Sequence, residues 1–240
     1  MKKYLDRGQY LTTQDEKRSI FLHHTVGTNT MSAWRWWNST RDRVGTPYII
    51  DRDGTIMEVF DPSMWAFHLG IRGDDNWQEK HSINIELVSS GPLRLEEGDY
   101  RFYPLWPNKM RFTSIPADEV TTLKKAYHGH KHWHSYTEAQ YESLKWLIGR
   151  LYMDFPSLVV DNDLDKFHEY NKKVIDDHIP GIWAHSTVRK DKSDVVPFPE
   201  LIAALKEVQG ELVPPKPKTT SPKPVSKAKK SGNKKTKPKS

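Results

Sequence analysis

Three short apolar runs, each with a histidine or a carboxylate at or near its C-terminal end, constrain this chain more than any other feature. They are Ile20-Phe21-Leu22-His23-His24, Ser82-Ile83-Asn84-Ile85-Glu86-Leu87-Val88 and Gly181-Ile182-Trp183-Ala184-His185. Runs of this length, bounded by turn residues, read as buried strands. The middle run alternates strictly, so Ile83, Ile85 and Leu87 share one face while Asn84 and Glu86 share the other. Helix signals separate the runs. Ser32–Ser39 reads as a short aromatic helix, and Thr137-Glu138-Ala139-Gln140 is a capping box. Leu144, Leu147, Ile148 and Leu151 follow that box at helical spacing, and Pro156 stops the segment. From Pro199, the spacing of Leu201, Ile202, Ala204 and Leu205 predicts a closing helix. Pro47–Phe60 reads as a hairpin whose Asp53-Gly54 supplies the positive φ that its turn needs. The predicted fold class is therefore α/β, a central mixed β-sheet flanked by helices.

Two stretches interrupt this pattern. A polar, aromatic segment from about residue 92 to 116 reads as an insertion. His128-Gly129-His130-Lys131-His132-Trp133-His134 is rich enough in histidine to suggest a metal, but its lysine and the helix cap just after it suit an exposed connector.

The chain has 240 residues and no cysteine, so no disulfide supports the core and any metal must take nitrogen and oxygen ligands. Charge divides the chain unevenly. Residues 211–240 hold ten lysines and one glutamate, whereas residues 1–210 hold 27 basic and 30 acidic side chains. The basic character thus belongs to a Lys/Pro-rich tail that lacks the apolar side chains needed to offset its ordering entropy. Disorder is expected over 211–240, with one folded domain over 1–210. Such a tail either solubilises the protein or tethers it to a polyanionic surface such as wall polymer or lipid headgroups. Nucleic acid is not an expected partner. No run of about 18 apolar residues occurs, and the N-terminus shows no signal-peptide core, so a soluble protein made in the cytoplasm is expected.

Read in order, several segments resemble one family. They are Phe21-Leu22-His23-His24-Thr25, Gly45 through Tyr48-Ile49-Ile50-Asp51-Arg52-Asp53-Gly54-Thr55, Ala66-Phe67-His68-Leu69-Gly70, Ser82–Leu87, Tyr136–Gln140, and Ala184-His185 through Lys192-Ser193-Asp194. Together they resemble the zinc-dependent N-acetylmuramoyl-L-alanine amidases, relatives of phage amidase lysozymes and peptidoglycan recognition proteins, over roughly residues 18 to 208. The resemblance implies a single domain of that fold, with zinc held by His23, His185 and Asp194 and His24 alternating away. Two imidazoles and a carboxylate suit an open catalytic zinc site, since three protein ligands leave a fourth position for water. Asp191 is a competing carboxylate, but the resemblance favours Asp194, two residues after Lys192.

The resemblance further implies Glu86 as general base, Lys192 as a fixed positive charge near the developing oxyanion, and His68 lining the substrate groove. Thr46-Pro47 stands where many relatives have tyrosine-histidine. Thr46 is thereby placed at the substrate site without a tyrosine's acidity, which leaves more of the chemistry to Glu86 and Lys192. The implied activity is hydrolysis of the bond between N-acetylmuramic acid and L-alanine in peptidoglycan. A phage endolysin, synthesised in the host cytoplasm and acting on the wall after release, is the expected setting, and a monomer the expected state. A wall-recycling amidase, an effector injected into rival cells and a non-catalytic peptidoglycan-binding protein of the same fold are the alternatives.

Overall fold

Apolar runs that are buried on both faces pair most readily as neighbours in a parallel sheet, and the chain assembles its first half around such a pair. The computed structural model describes residues 1–71, 75–103 and 112–213. Strand β1 (Ser19–His24) is followed by helix α1 (Thr30–Ser39), and β2 (Tyr48–Ile50) and β3 (Ile56–Glu58) form the predicted hairpin. The hairpin closes through Gly54 at φ +84°, and a Cβ there would lie 2.8 Å from the carbonyl oxygen of Ala139. A single turn of helix, α2 (Trp77–Lys80), leads into β4 (Ser82–Leu87).

The next segment departs from the sequence reading. The histidine-rich run is not an exposed connector, and the described residues within 92–134 are not irregular. They supply five antiparallel strands: β5 (Pro92–Glu96), β6 (Asp99–Phe102), β7 (Thr113–Ile115), β8 (Val120–Tyr127) and β9 (His130–His134). These pair as a second sheet in the order β7-β6-β5-β9-β8. The histidine-rich run is β9, and two of its side chains are interior. Trp133 is fully buried in the main core, and its indole N–H donates to the His130 carbonyl. His134 Nδ1 accepts from the Ser90 amide, which leaves Nε2 to donate to Glu119 at 3.0 Å. Burial rises along the strand from the exposed His130 and Lys131 to Trp133 and His134, both buried where the strand pairs with β5, a pattern that composition alone conceals.

Helix α3 (Glu138–Asp154) begins at the capping box, where Thr137 accepts from the Gln140 amide and the Gln140 side chain accepts from the Thr137 amide. A short turn, α4 (Lys173–Asp176), precedes β10 (Ile182–Ala184), the one-turn helix α5 (His185–Val188) and the closing helix α6 (Pro199–Leu212). Proline at its first position starts α6 without losing a helical hydrogen bond. The helix runs two residues past the expected domain end at 210, and Leu212 and Val213 pack against the core. The expected disorder of the tail concerns residues that, beyond Val213, lie outside those described.

The first sheet has the order β10-β1-β4-β2-β3. β10, β1, β4 and β2 are mutually parallel, and β3 closes the edge antiparallel. On one face Leu144, Leu147, Ile148 and Leu151 of α3 and Leu201, Leu205 and Val208 of α6 bury the strands. On the other face α1 and the N-terminal segment pack through Trp37 and Leu5 against Ile49, Met57 and Phe60. The second sheet has a smaller core of Leu93, Phe102 and Ile115, against which Val26 packs from the loop after β1. Among the described residues no helix is long and apolar enough to cross a membrane.

Candidate active site

Register between parallel strands decides which side chains meet. β1 and β4 pair His23 with Glu86, and β1 and β10 pair Leu22 with Ala184, so that His185 follows at the level of His23. The three side chains therefore emerge together at the C-terminal edge of the sheet, where open α/β sheets place their ligand sites. The His23 and His185 rings lie 4.7 Å apart between centroids. His24 points to the opposite face, where its Nδ1 lies 3.2 Å from the Tyr136 hydroxyl. That hydroxyl also accepts from the Val196 amide, which ties down the loop carrying Asp194.

Asp194 completes the cluster from outside the sheet. Its Oδ2 lies 3.1 Å from Nδ1 of His23 and 3.1 Å from Nδ1 of His185. One donor atom from each of the three residues falls within 4.8 Å of the others, a grouping able to hold a metal ion. The hydrogen bonds favour that use. Nε2 of His185 lies 3.0 Å from the Leu69 carbonyl, which can only accept, so Nε2 carries the proton. The ring is thus held between the Leu69 carbonyl on one side and the Asp194 carboxylate on the other. His23 has 3% of its surface exposed, and its Nε2 has no hydrogen-bond partner among the described residues. Burial holds its pKa down at about 4, which keeps the ring neutral near pH 7 and its lone pair free for coordination. Asp194 is ionised: burial opposes its charge, but the two histidines outweigh burial and hold its carboxyl well below the usual range. Asp191, the competing carboxylate, is engaged by the Arg189 guanidinium through two hydrogen bonds.

Glu86 lies beside the cluster with Oε2 buried and unpartnered among the described residues. Burial raises its pKa well above the usual carboxylate value, and Asp194 raises it further; Lys192 acts in the opposite sense. Lys192 is thus close enough for its charge to reach Glu86.

Two expected substrate contacts are placed elsewhere. His68 does not line a groove: its side chain is buried behind His23, and Nε2 contacts the Glu79 carboxylate at 2.9 Å. Thr46 is 1% exposed, and its hydroxyl donates to the Tyr48 carbonyl, so the strand's own backbone consumes it.

Glu79 has no counterpart in the sequence reading. Its carboxylate accepts from the amides of His68, Leu69 and Gly70 at 3.0 to 3.1 Å and so shapes the loop whose Leu69 carbonyl orients His185. Burial alone would raise its pKa, but the His68 contact and the backbone amides outweigh burial and bring it to about 2. Gly70, at φ +62°, completes this loop, since a Cβ there would lie 2.6 Å from the Arg189 guanidinium. No sequence signal marks Glu79, because its partners are main-chain amides that any residues at 68–70 would supply.

Comparison with known proteins identifies the family. The family model described as N-acetylmuramoyl-L-alanine amidase matches residues 13–197. The chain belongs to that family. It is an N-acetylmuramoyl-L-alanine amidase, an enzyme that acts on peptidoglycan. Solved structures similar to this amidase have low sequence identity. PlyL is 9% identical with a TM-score of 0.49, covering 86% of this chain and 94% of that one. The amidase LysC from Clostridium intestinale is 14% identical with a TM-score of 0.42, covering 88% and 97%. A mutant endolysin from Bacillus subtilis is 13% identical with a TM-score of 0.46, covering 89% and 97%. No curated relative matches the amidase at significance.

Proposed function

We propose that this amidase is a zinc enzyme, that His23, His185 and Asp194 hold the metal, and that it cuts the bond between the lactyl group of N-acetylmuramic acid and L-alanine. The observation that carries the reading is the convergence of the three donor atoms within 4.8 Å beside Glu86. The donor set fits zinc: two imidazoles and one carboxylate, with the His185 ring oriented by the Leu69 carbonyl. When bound, zinc supplies a Lewis acid and brings the pKa of water to about 7.

The chain's own residues do the rest. Glu86 takes a proton from the attacking water and returns it to the departing amine of L-alanine, and its raised pKa suits both halves of that exchange. Lys192 offers positive charge to the carbonyl oxygen as negative charge grows there. Asp194, ionised between the two histidines, holds both rings in place.

The experiment is digestion of purified sacculi with and without a chelator, followed by end-group analysis. The reading requires new L-alanine amino termini, no new reducing sugar ends, and loss of both activity and bound zinc with chelator. Chelator-insensitive release would remove the metal, and reducing ends alone would remove the bond assignment. The setting we assign is host-cell lysis by an endolysin made in the cytoplasm. Expression inside a bacterial host should then be tolerated until the membrane is permeabilised, and lysis before permeabilisation would contradict that setting. We further propose the Lys-rich segment beyond Val213 as a tether to anionic wall or membrane polymers.

A further inference from the structure

A tyrosine of the second sheet reaches the segment that carries His185 and Asp194, and the chemistry above does not use it. Tyr127 is the last residue of β8. The next two residues, His128 and Gly129, take φ of +46° and +83°, so the chain turns back into β9 at once and Tyr127 pairs with His130. Between Thr122 and Tyr127 the register of β8 and β9 shifts. Irregularities of this kind re-aim side chains, and here Tyr127 packs against the main core instead of the small core of its own sheet. Its ring lies 5.8 Å from Trp133 and 6.0 Å from His168 between centroids.

The hydroxyl of that ring meets a junction. Ser186 directly follows His185, is 1% exposed, and donates its amide to the Asp194 carbonyl at 3.0 Å. Its Oγ lies 2.9 Å from the His168 carbonyl, which can only accept, so the one hydroxyl proton of Ser186 is used there. The Tyr127 hydroxyl, 3.1 Å from the same Oγ, is therefore the donor of that pair. The Val195 carbonyl, directly after Asp194, is a second acceptor at 3.5 Å.

We infer that Tyr127 is a positioning residue for the metal site: its hydroxyl fastens the residues that follow His185 and Asp194, and through them the second sheet holds two of the proposed ligands in place. The inference rests on the proposed zinc site and deepens it by naming what holds the ligand that no strand carries. His23 lies on β1 and His185 directly follows β10, whereas Asp194 lies in neither strand nor helix. A ligand set tolerates displacements of only about 0.5 Å, so a carboxylate on such a segment depends on side chains packed from elsewhere. Tyr136 holds Val196 on one side, and Tyr127 supplies the hold at Ser186 and Val195.

The test removes one oxygen. Tyr127→Phe keeps the ring in its packing and deletes only the hydroxyl. Zinc affinity of the full-length protein is measured by competition with a chromophoric chelator, and the visible absorption of the Co²⁺-loaded protein reports geometry at the metal. The expected result is an affinity about tenfold lower in Tyr127→Phe, the low end for groups outside the ligand shell, together with altered Co²⁺ absorption. Ser186→Ala should lower the affinity at least as much, and adding Tyr127→Phe to it should lower it little further, because the phenol has then already lost its partner. Tyr100→Phe, a hydroxyl removed elsewhere in the second sheet, should leave affinity and absorption unchanged. Wild-type affinity and absorption in Tyr127→Phe would overturn the inference even with a lower melting temperature, since Tyr127 would then only stabilise the fold. A readout without metal keeps this inference apart from the zinc reading. In the metal-free protein the Ser186 amide should exchange its hydrogen about fivefold faster in Tyr127→Phe than in wild type. If wild type binds neither zinc nor Co²⁺, the metal reading has failed and exchange alone decides: faster exchange keeps the fastening, and unchanged exchange overturns it as well.

Discussion

The two sheets make a contrast within one domain. Every residue of β1 and β10 is buried, and the parallel sheet is covered on both faces by helices and the N-terminal segment. The second sheet is antiparallel and largely exposed along β8; among the described residues its own core is the small cluster of Leu93, Phe102 and Ile115, and Trp133 of β9 joins it to the main core. The first sheet therefore fixes the atoms that the proposed chemistry needs in place, the imidazoles of His23 and His185 and the carboxylate of Glu86. The proposed chemistry, which tolerates little displacement, thus sits on the more rigid element.

This contrast can be broken by substitution, starting from the largest expected effect. Asp194→Ala should lose bound zinc by more than the 10- to 100-fold typical of changes outside the ligand shell, together with turnover. Glu86→Gln should keep zinc while the turnover number falls by about 10²- to 10⁴-fold, and full activity in that variant would place the base elsewhere. Next comes the core. Leu144→Ala, beneath the parallel sheet, should cost about 2–5 kcal/mol in denaturant melts. Ile115→Ala, at the edge of the second sheet and 8% exposed, should fall at or below the bottom of that range. Comparable losses from the two would mean that the sheets form one cooperative unit of uniform stability, contrary to the contrast drawn from burial.

A smaller effect belongs to Glu79. Glu79→Gln leaves buried backbone amides poorly satisfied and should cost about 1–3 kcal/mol. Its folded-state pKa is depressed to about 2 from an ordinary 4.5. Its stabilising contribution is therefore fully present above about pH 4.5 and is lost as pH falls toward 2. Wild-type stability should decline across that window more steeply than that of Glu79→Gln; parallel curves would show that the carboxylate's charge is not what the loop uses. The smallest effect on catalysis should come from truncation after Val213. Cleavage of soluble muramyl peptides should be unchanged, and wall association should weaken and lose its salt dependence.

Much of the first sheet was legible because its signals are local. Alternation from Ile83 to Leu87, the capping box at Thr137, and a histidine at the end of an apolar run each depend on a few adjacent residues. The second sheet was hidden because its strands are polar on the exposed side and lack the continuous apolar runs of the first. The histidines of β9 illustrate this: one strand carries the exposed His130 and the buried His134, and only the pairing of β9 with β5 and β8 separates them. His68 and Thr46 were read as groove residues from their place in the motif order, which carries no information on depth. Glu79 could not be found at all, since a side chain that binds backbone amides leaves no pattern in its partners.

By itself the sequence determined the alternation of strands and helices, the family, and the residue types able to hold a metal at the ends of strands. Periodicity and chemical type are written residue by residue, and they survive without knowledge of the fold. Tertiary structure alone decided that His23, His185 and Asp194 share one point in space, that Glu79 shapes the loop orienting His185, and that the Tyr127 hydroxyl of the second sheet meets Ser186 beside His185. Those are relations between residues up to 171 positions apart, as between His23 and Asp194. Strand register and loop closure set such distances, and neither is encoded in any short stretch of chain.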